Sequence, residues 1–228
     1  MKVLVACEES QAVCIELRKL GHEAYSCDVI DCSGGHPEWH IKQDVISLLN
    51  GNCSFKTVDG TGHSINGKWD MIIAFPPCTY LSNAGAARLF PQKGLMDVER
   101  YKKGLEAKIF FLRFLNADCD KIAVENPIPN TIFELPKYTQ IIQPYEHGHP
   151  YSKKTCLWLN GLPLLKPTNI VTENIISWVS GDSKDQYGNQ RKQSGTKIRN
   201  PKIRAKTFPG IAKAMAEQWA GKTRRTNK

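Results

Sequence analysis

One cysteine of the sequence occupies a position that favours nucleophilic chemistry. Residues 69–75 form an apolar run that ends in Pro76, Pro77 and Cys78. Two prolines remove two backbone donors and fix φ near −65°, so a strand cannot continue through them. In open α/β sheets, chemistry is usually done at the ends of the strands. A thiolate held there is a strong nucleophile once its pKa is lowered, although a lone cysteine is more often an inert buried residue.

A carboxyl group follows a second predicted strand. Residues 121–124 are apolar and are followed at once by Glu125, Asn126 and Pro127. A nucleophile and a carboxyl group that face each other across a cleft can attack and protonate the same ring. Taken alone, Glu-Asn-Pro is equally typical of a turn at a strand exit. Together with Cys78, it predicts a catalytic pair, and no metal is needed for this chemistry.

Strands and helices that could position this pair alternate along the chain. Apolar runs predict strands over residues 2–7, 23–28, 69–75, 121–124 and 155–159. Helical spacing predicts helices over 10–20, 97–115 and 210–219, and in the second of these one apolar side contains Val98, Tyr101, Leu105, Ile109, Leu112 and Leu115. Residues 50–68 and 180–201 are polar and predict loops.

This alternation predicts a mostly parallel sheet with helices on both faces, an α/β fold. Right-handed crossovers place the C-terminal ends of parallel strands along one edge. Three polar strand ends should meet there, and they carry Asp28, Cys78 and Glu125. The sequence therefore predicts one reactive edge of the sheet.

The charge of the chain is unevenly distributed. The net charge is +9, but residues 1–150 carry 15 Lys and Arg against 18 Asp and Glu, whereas residues 151–228 carry 16 against 4. A basic final segment indicates contact with a polyanion, most commonly nucleic acid, and its binding would depend strongly on salt. The alternative is a charged surface that serves only solubility.

Length and composition are those of a globular protein without membrane segments. The chain has 228 residues, of which 41% are hydrophobic, and no apolar run approaches the roughly 20 residues that cross a bilayer. The N-terminal apolar run is interrupted at Glu8 and Glu9, so we expect no signal peptide. Eight cysteines without the spacing of a disulfide framework predict free thiols and a cytoplasmic location.

Several segments resemble the motifs of the DNA cytosine-5 methyltransferases in the same order. FPPCTYLSNAG resembles their Pro-Cys motif, and VENP resembles their Glu-Asn motif. GHPYSKKT, residues 148–155, looks like a degenerate form of their Gly-Val-Pro-Gln-x-Arg-x-Arg segment, with Lys153 on the first Arg and Thr155 on the second. TFPGIAKAMAEQW is loosely similar to their final motif. The whole chain resembles the short members of this family found in phages and prophages.

The resemblance implies a Rossmann-like class I methyltransferase fold, S-adenosylmethionine as the cofactor and DNA as the partner. Cys78 would add to carbon 6 of cytosine while Glu125 donates to ring nitrogen 3, and the target base would leave the duplex. The residues implied in cofactor binding are Cys7, Glu8, Asp28, Asp44 and Pro76. Those implied in substrate binding are Asn126, Lys153 and Thr155.

The resemblance also implies how the chain is divided. Residues 1–160 would form the catalytic domain, and residues 161–205 a short basic loop region in place of a target-recognition domain. Residues 206–228 would form a C-terminal helix that packs back on the catalytic domain. Because the middle region is short, we expect little sequence specificity.

Two other functions stay open. The first is another pyrimidine-modifying enzyme with the same cysteine attack, and the second is a DNA-binding relative without catalysis. The second is favoured by residues 6–11, ACEESQ, which have no glycine where the family has Phe-x-Gly-x-Gly-Gly.

Further side chains have weaker functional interpretations. The potential zinc ligands Cys27, Cys32, His36 and His40 are spaced more tightly than in common zinc fingers, so a loop near the cofactor, with Trp39 in the core or beside the adenine, is preferred. Contacts to substrate or to bases could also come from His147, His149, Tyr145 and Tyr187.

Overall fold

A computed structural model describes residues 1–92, 94–178 and 200–222. The strands are β1 Lys2–Ala6, β2 Glu23–Asp28, β3 His40–Lys42, β4 Cys53–Lys56, β5 Gly62–Ile65, β6 Met71–Ala74, β7 Ile122–Pro127, β8 Gln140–Ile142, β9 Tyr151–Ser152, β10 Thr155–Asn160 and β11 Ile176–Ser177. The helices are α1 Ala12–Lys19, α2 Ala86–Leu89, α3 Val98–Leu115, α4 Pro201–Ala205 and α5 Pro209–Met215, which continues as a π-helical turn Ala216–Ala220.

Seven strands form one mostly parallel sheet, in the order β3-β2-β1-β6-β7-β10-β8. The first five strands in this order are parallel to one another, and β10 is antiparallel to both β7 and β8. The chain moves outward from β1 to β3 and then returns to β6 on the other side of β1. The strand order therefore reverses between β1 and β6, which is where open α/β sheets bind ligands.

Helices cover both faces of the sheet, and this confirms the predicted α/β fold class. On one face, Phe111 and Phe114 of α3 pack on Leu4, Ile72 and Val124. On the opposite face, α5 packs against α1, and both helices cover a second core cluster. That cluster contains Val13 and Leu17 from α1, Ile211 and Met215 from α5, and Val3, Val5 and Ile73 from the sheet.

The helix α3 is confirmed, but its predicted apolar side is wrong in part, since only Tyr101, Leu112 and Leu115 of that side pack against the core. Val98 and Ile109 are 54% and 60% exposed, whereas the buried positions are Gly104, Phe111 and Phe114. A Cβ at position 104 would overlap the ring of Phe133, so glycine allows the helix to approach the segment after β7. A glycine gives no apolar signal, and the buried face that runs through it was therefore missed.

The predicted loop over residues 50–68 is also wrong in part, because it contains an antiparallel hairpin. β4 pairs with β5, and the turn between them is closed by Asp59, which accepts from the backbone N–H and the hydroxyl of Thr61. Phe55 of β4 stacks on Trp69, with the ring centroids 6.2 Å apart. The hairpin was missed because only Phe55 and Ile65 of its two strands are buried apolar residues, and the polar residues around them are typical of a loop.

The predicted basic region, residues 161–205, is only partly described by the structure. Residues 161–178 and 200–205 of the basic region belong to the described residues, whereas 179–199, including Tyr187, lie outside them. No helix among the described residues is both long enough and apolar enough to cross a membrane.

Candidate active site

The strand register places four residues in one row at the C-terminal edge of the sheet. Cys27, Ala6, Ala74 and Val124 are paired across β2, β1, β6 and β7. The residues that follow these four in the chain are, in the same order, Asp28, Cys7, Phe75 and Glu125. Asp28 and Glu125 still belong to β2 and β7, whereas Cys7 and Phe75 lie directly after β1 and β6. Neighbouring strands lie about 4.8 Å apart, so Asp28 and Glu125 are separated by about 14 Å along this edge. The edge thus has two ends, one near β2 and one near β7.

A small open cavity lies at the β7 end. Its polar side chains come from β7, from residues at and just before the start of β10 and from Thr207, and most of its apolar wall comes from the segment before α5 and from α5 itself. The lining residues are Phe75, Glu125, Ile142, Lys153, Thr155, Ala205, Thr207, Phe208, Ile211 and Met215. Because β10 is antiparallel to β7, it begins at the edge where β7 ends, and Lys153 and Thr155 line the same cavity as Glu125.

Glu125 is a shielded carboxyl group without a hydrogen-bond partner among the described residues. Burial raises its pKa, and the cation of Lys153 opposes this rise. β7 is longer than predicted and continues to Pro127, so Glu125 is held within a paired strand, opposite Leu157. A carboxyl group with a raised pKa and a fixed backbone is suited to donate a proton.

Cys78 lies beside this cavity but is not among its lining residues. Its side chain is half-buried, so the thiol is not sealed in the interior. Burial raises the pKa of Cys78, and the carboxylate of Glu125 raises it further, while Lys153 and Arg204 lower it. The thiol therefore responds to the charges of both polar groups of the cavity.

The loops that carry Cys78 and Glu125 are joined by backbone hydrogen bonds. The N–H of Asn83 donates to the carbonyl of Ile128 at 2.8 Å, and the N–H of Asn130 donates to the carbonyl of Leu81 at 2.7 Å. Ser82 and Pro129 form an isolated antiparallel bridge between these bonds. This short ladder fixes the loop after Cys78 against the loop after Glu125.

Lys153 and Thr155 are held at the cavity by neighbouring segments. The N–H of Lys153 donates to Oε1 of Gln143 at 2.9 Å, and its Nζ donates to the carbonyl of Arg204 at 3.3 Å. The Thr155 hydroxyl donates to the carbonyl of Lys153 at 3.3 Å. The Lys153 ammonium can therefore interact with an acceptor on a bound molecule as well as with Glu125.

Asn126 does not reach the cavity. Successive residues of a strand point to opposite faces, and the side chain of Asn126 is fully buried on the α3 side. Its Nδ2 donates to the carbonyl of Pro127 at 2.6 Å, while Oδ1 has no hydrogen-bond partner among the described residues. The predicted contact between Asn126 and substrate stays a prediction, and the buried position of the side chain does not support it.

The residues implied in cofactor binding lie mostly at the β2 end of the edge. Burial raises the pKa of Cys7, and the nearby Asp28 and Asp44 raise it further. Burial also raises the pKa of Asp28, although backbone donors oppose the rise. Asp44 accepts from the N–H of Ile46 at 3.0 Å and caps a 3-10 turn, and Pro76 is buried at the end of β6.

Glu8 has a structural role at the start of α1. Its Oε1 accepts from the N–H of Val13 at 2.7 Å, and its Oε2 accepts from the N–H of Cys14 at 3.2 Å. A helix N-terminus favours an anion because its first N–H groups lack partners within the helix. Burial raises the pKa of Glu8 to about 8, against the effect of these two donors. The carboxyl group of Glu8 thus occupies the place that a ligand anion would need.

Replacing Glu8 by Gln is expected to remove part of the pH dependence of stability. The folded-state pKa of about 8 lies above the ordinary value of 4.5. The folded protein therefore holds this proton more tightly, and the resulting stability, on the order of a few kcal/mol, is lost as the pH rises from about 4.5 to 8. Urea unfolding at pH 5, 6.5 and 8 measures it. The stability advantage of the wild type over Glu8→Gln should shrink across this range.

The matched control is Glu16→Gln, on the same helix but in a surface ion pair with Lys19. Its stability should remain within about 0.5 kcal/mol of the wild type, with the same dependence on pH. Parallel stability curves for Glu8→Gln and the wild type would show that Glu8 does not titrate in this range.

The weaker site interpretations mostly have structural explanations. Among the described residues, no group of three or more His, Cys, Asp or Glu side chains could hold a metal ion. His40 is buried and bonds Ser26 Oγ and the carbonyl of Ile30, each at 2.9 Å. His36 stacks on Trp39, and His149 Nε2 accepts from the N–H of Gly210 at 2.9 Å.

The apolar wall and one cation of the site were not named from the sequence. Phe208, Ile211 and Met215 belong to the segment that resembles the family's final motif, yet their periodicity is also that of an ordinary buried helix. Arg204, which lowers the pKa of Cys78, lies in a generally basic region without a motif. No local pattern distinguishes it from its basic neighbours.

The chain matches no known protein family and no curated protein. Among solved structures, it resembles a protein from E. coli described as a DNA modification methyltransferase encoded within a prophage, at 13% identity and a TM-score of 0.40, over 74% of this chain and 51% of that one. It also resembles the methyltransferase EhMeth of Entamoeba histolytica, at 14% identity and a TM-score of 0.40, over 74% of this chain and 57% of that one. The chain thus spans about half the length of these proteins. This similarity does not establish its family.

Proposed function

We propose that the chain is an S-adenosylmethionine-dependent DNA methyltransferase that modifies carbon 5 of cytosine through a covalent cysteine adduct. The observation that supports it most directly is the short backbone ladder, which fixes the loop after Cys78 against the loop after Glu125. The charges of Glu125 and Lys153 act on the pKa of Cys78, which adds support.

Cys78 acts as the nucleophile in this mechanism. Its thiolate forms a bond between Sγ and carbon 6, and the electrons of the carbon 5–carbon 6 double bond move toward carbon 5. Lys153 favours the thiolate because it lowers the pKa of Cys78. The half-buried position keeps the sulfur accessible to a base that has left the duplex.

Glu125 acts as the general acid. Its proton moves to ring nitrogen 3 as the sulfur adds, so negative charge does not accumulate on the ring. Once carbon 5 has gained the methyl group, a base removes its proton, and the bond from Sγ to carbon 6 breaks. The double bond is then restored, and the thiolate is released with its electron pair. The proton on nitrogen 3 returns to Glu125.

The β2 end of the edge fits the nucleoside part of S-adenosylmethionine. An acid about 20 residues beyond the first loop of such a sheet commonly accepts from ribose hydroxyls, and Asp28 has this place. Cys7 and Gln11 adopt positive φ angles of 56° and 58°, so the loop turns tightly without glycine. Glu8 already occupies the N–H groups of Val13 and Cys14. When bound, the cofactor supplies an electrophilic methyl group.

DNA is the proposed substrate because the positive charge of the chain is concentrated in its last third. Residues 151–228 carry 16 Lys and Arg against 4 Asp and Glu. Of these, Lys153 and Arg204 lie close enough to Cys78 to lower its pKa. We propose that residues 1–160 form the catalytic domain and that the basic region 161–205 holds phosphates with little sequence preference.

The test is to incubate the protein with DNA and labelled S-adenosylmethionine, digest the DNA and identify the labelled nucleoside. Label on carbon 5 of deoxycytidine is the expected result. Cofactor binding without transfer to DNA would instead favour another pyrimidine substrate. If neither cofactor binding nor transfer is observed while DNA is still bound, the chain is a non-catalytic DNA-binding protein.

A further inference from the structure

Arg100 contacts the loop that carries Cys78 through its side chain, at residues other than those of the backbone ladder. Its Nη2 donates to the carbonyl of Thr79 at 2.9 Å, directly after Cys78 in the chain. Its guanidinium carbon lies 5.0 Å from the centroid of the Tyr80 ring. Two consecutive residues of the loop are therefore held by one side chain, through a hydrogen bond and a cation–π contact.

The position of Arg100 is itself fixed. Arg100 lies in the first turn of α3, where Asp97 caps the helix by accepting from the N–H of Arg100 at 2.9 Å. At Gly85, a Cβ would lie 2.8 Å from Nη2 of Arg100 and 3.1 Å from the carbonyl oxygen of Thr79. The absence of a side chain at this position leaves room for the guanidinium beside the loop.

The guanidinium forms no ion pair with a carboxylate of the described residues that could account for its position. Its described contacts are to a neutral carbonyl and an aromatic ring, both in the loop after Cys78. The same loop is also joined to residues 128–130 by the short backbone ladder. The loop is thus held between a helix end and the segment that follows Glu125.

We propose that Arg100 is a positioning residue that keeps Cys78 in its reactive placement by holding Thr79 and Tyr80. The inference rests on the proposed role of Cys78 as nucleophile. Without Arg100, the loop retains the ladder to residues 128–130 and the contact of Lys103 Nζ, 5.9 Å from the Tyr80 ring centroid, but it loses the hydrogen bond to Thr79 and the closer cation–π contact. The thiol then moves more freely and spends less time aligned with the target carbon, and a misplacement of about 1 Å can cost about 100-fold in rate.

A direct contact between Arg100 and a DNA phosphate is the competing explanation, since the side chain is only half-buried. The two explanations predict different kinetics. Loss of a phosphate contact raises KM for DNA and reduces its salt dependence, with kcat unchanged. Loss of a positioning contact lowers kcat and leaves KM within about twofold.

The test combines methyl-transfer kinetics with alkylation of Cys78 by iodoacetamide, measured by mass spectrometry of the peptide. For Arg100→Ala, we expect kcat to fall by about 10- to 100-fold and alkylation of Cys78 to become several-fold faster. Arg100→Lys, which keeps a donor and the charge but loses the planar group, should lie between Arg100→Ala and the wild type. Tyr80→Leu should change both rates in the same directions, by less.

The matched control is Arg113→Ala, at the exposed end of the same helix, and it should change neither rate. The buried Cys14 and Cys27 should stay unreactive in every variant, which reports that the fold is intact. If Arg100→Ala does not fold, Tyr80→Leu carries the test. A raised KM with wild-type kcat, or unchanged alkylation of Cys78, overturns the proposal. Alkylation does not require methyl transfer, so it tests the inference even if the proposed function is wrong.

Discussion

Cys78→Ala is expected to abolish methyl transfer to DNA, with a loss of at least about a thousand-fold in kcat. Alanine cannot form the bond to carbon 6, and carbon 5 of an unmodified cytosine is a poor nucleophile. DNA binding should remain, because the cations Lys153 and Arg204 are unchanged. The measurement is label transfer from S-adenosylmethionine at saturating DNA, with binding measured separately by fluorescence polarisation.

DNA that contains 5-fluorocytosine gives a second measurement of the same step. Fluorine at carbon 5 cannot be removed as a proton, so the bond between Sγ and carbon 6 should persist, and the complex should survive denaturation. Cys78→Ala should form no such complex, whereas Cys32→Ala, at another half-buried cysteine in the loop after β2, should form it fully. Transfer that survives in Cys78→Ala would rule out this nucleophile.

The sheet was largely predictable from sequence because its strands are apolar and strongly periodic. Strands β1 and β6, which end directly before Cys7 and Phe75, and β2, which ends at Asp28, were identified at nearly their observed bounds. Strands β3 and β8 were not predicted, since each has only three residues. The strand order was not deduced either, because it depends on which crossovers pass over which face, and local sequence does not encode this.

The reactive edge was predicted more reliably than the side chains around it. Parallel strands necessarily bring Cys78 and Glu125 to the same edge, so the topology alone suffices. The contacts of Arg100 and Glu8 depend on side-chain packing between segments far apart in the chain or at a helix end. An acid after the first strand is equally consistent with a ligand contact and with a helix cap. The sequence alone therefore does not show that Glu8 caps α1.

Glu125→Gln is expected to lower kcat by about 100- to 10,000-fold while DNA and cofactor binding are retained. Glutamine has nearly the same size and can donate a hydrogen bond to ring nitrogen 3, but it cannot transfer a proton. The control is Glu134→Gln, an exposed carboxyl in the segment that follows β7, and it should keep wild-type activity. Equal rates for Glu125→Gln and the wild type would exclude Glu125 as the acid.

The pH profile of the wild type should be bell-shaped, since the mechanism needs a thiolate and a protonated carboxyl group together. Acid lowers the fraction of Cys78 that is ionised, and alkali lowers the fraction of Glu125 that is protonated, so the active combination is most populated at an intermediate pH. The two groups are coupled, so the limbs report apparent pKa values of the pair. In Glu125→Gln, the residual activity should lose the alkaline limb.

Alkylation of Cys78 separates the two charges that act on the thiol. The Glu125 carboxylate raises the pKa of Cys78, so Glu125→Gln should move the midpoint of alkylation against pH to a lower pH. Lys153 lowers the same pKa, so Lys153→Met should move the midpoint to a higher pH. Lys153→Met also removes the cation that favours ionised Glu125, so both limbs of its activity profile should shift upward. If the two substitutions shift the pKa of Cys78 in opposite directions, both charges must lie close enough to act on the thiol. The proposed mechanism needs this arrangement.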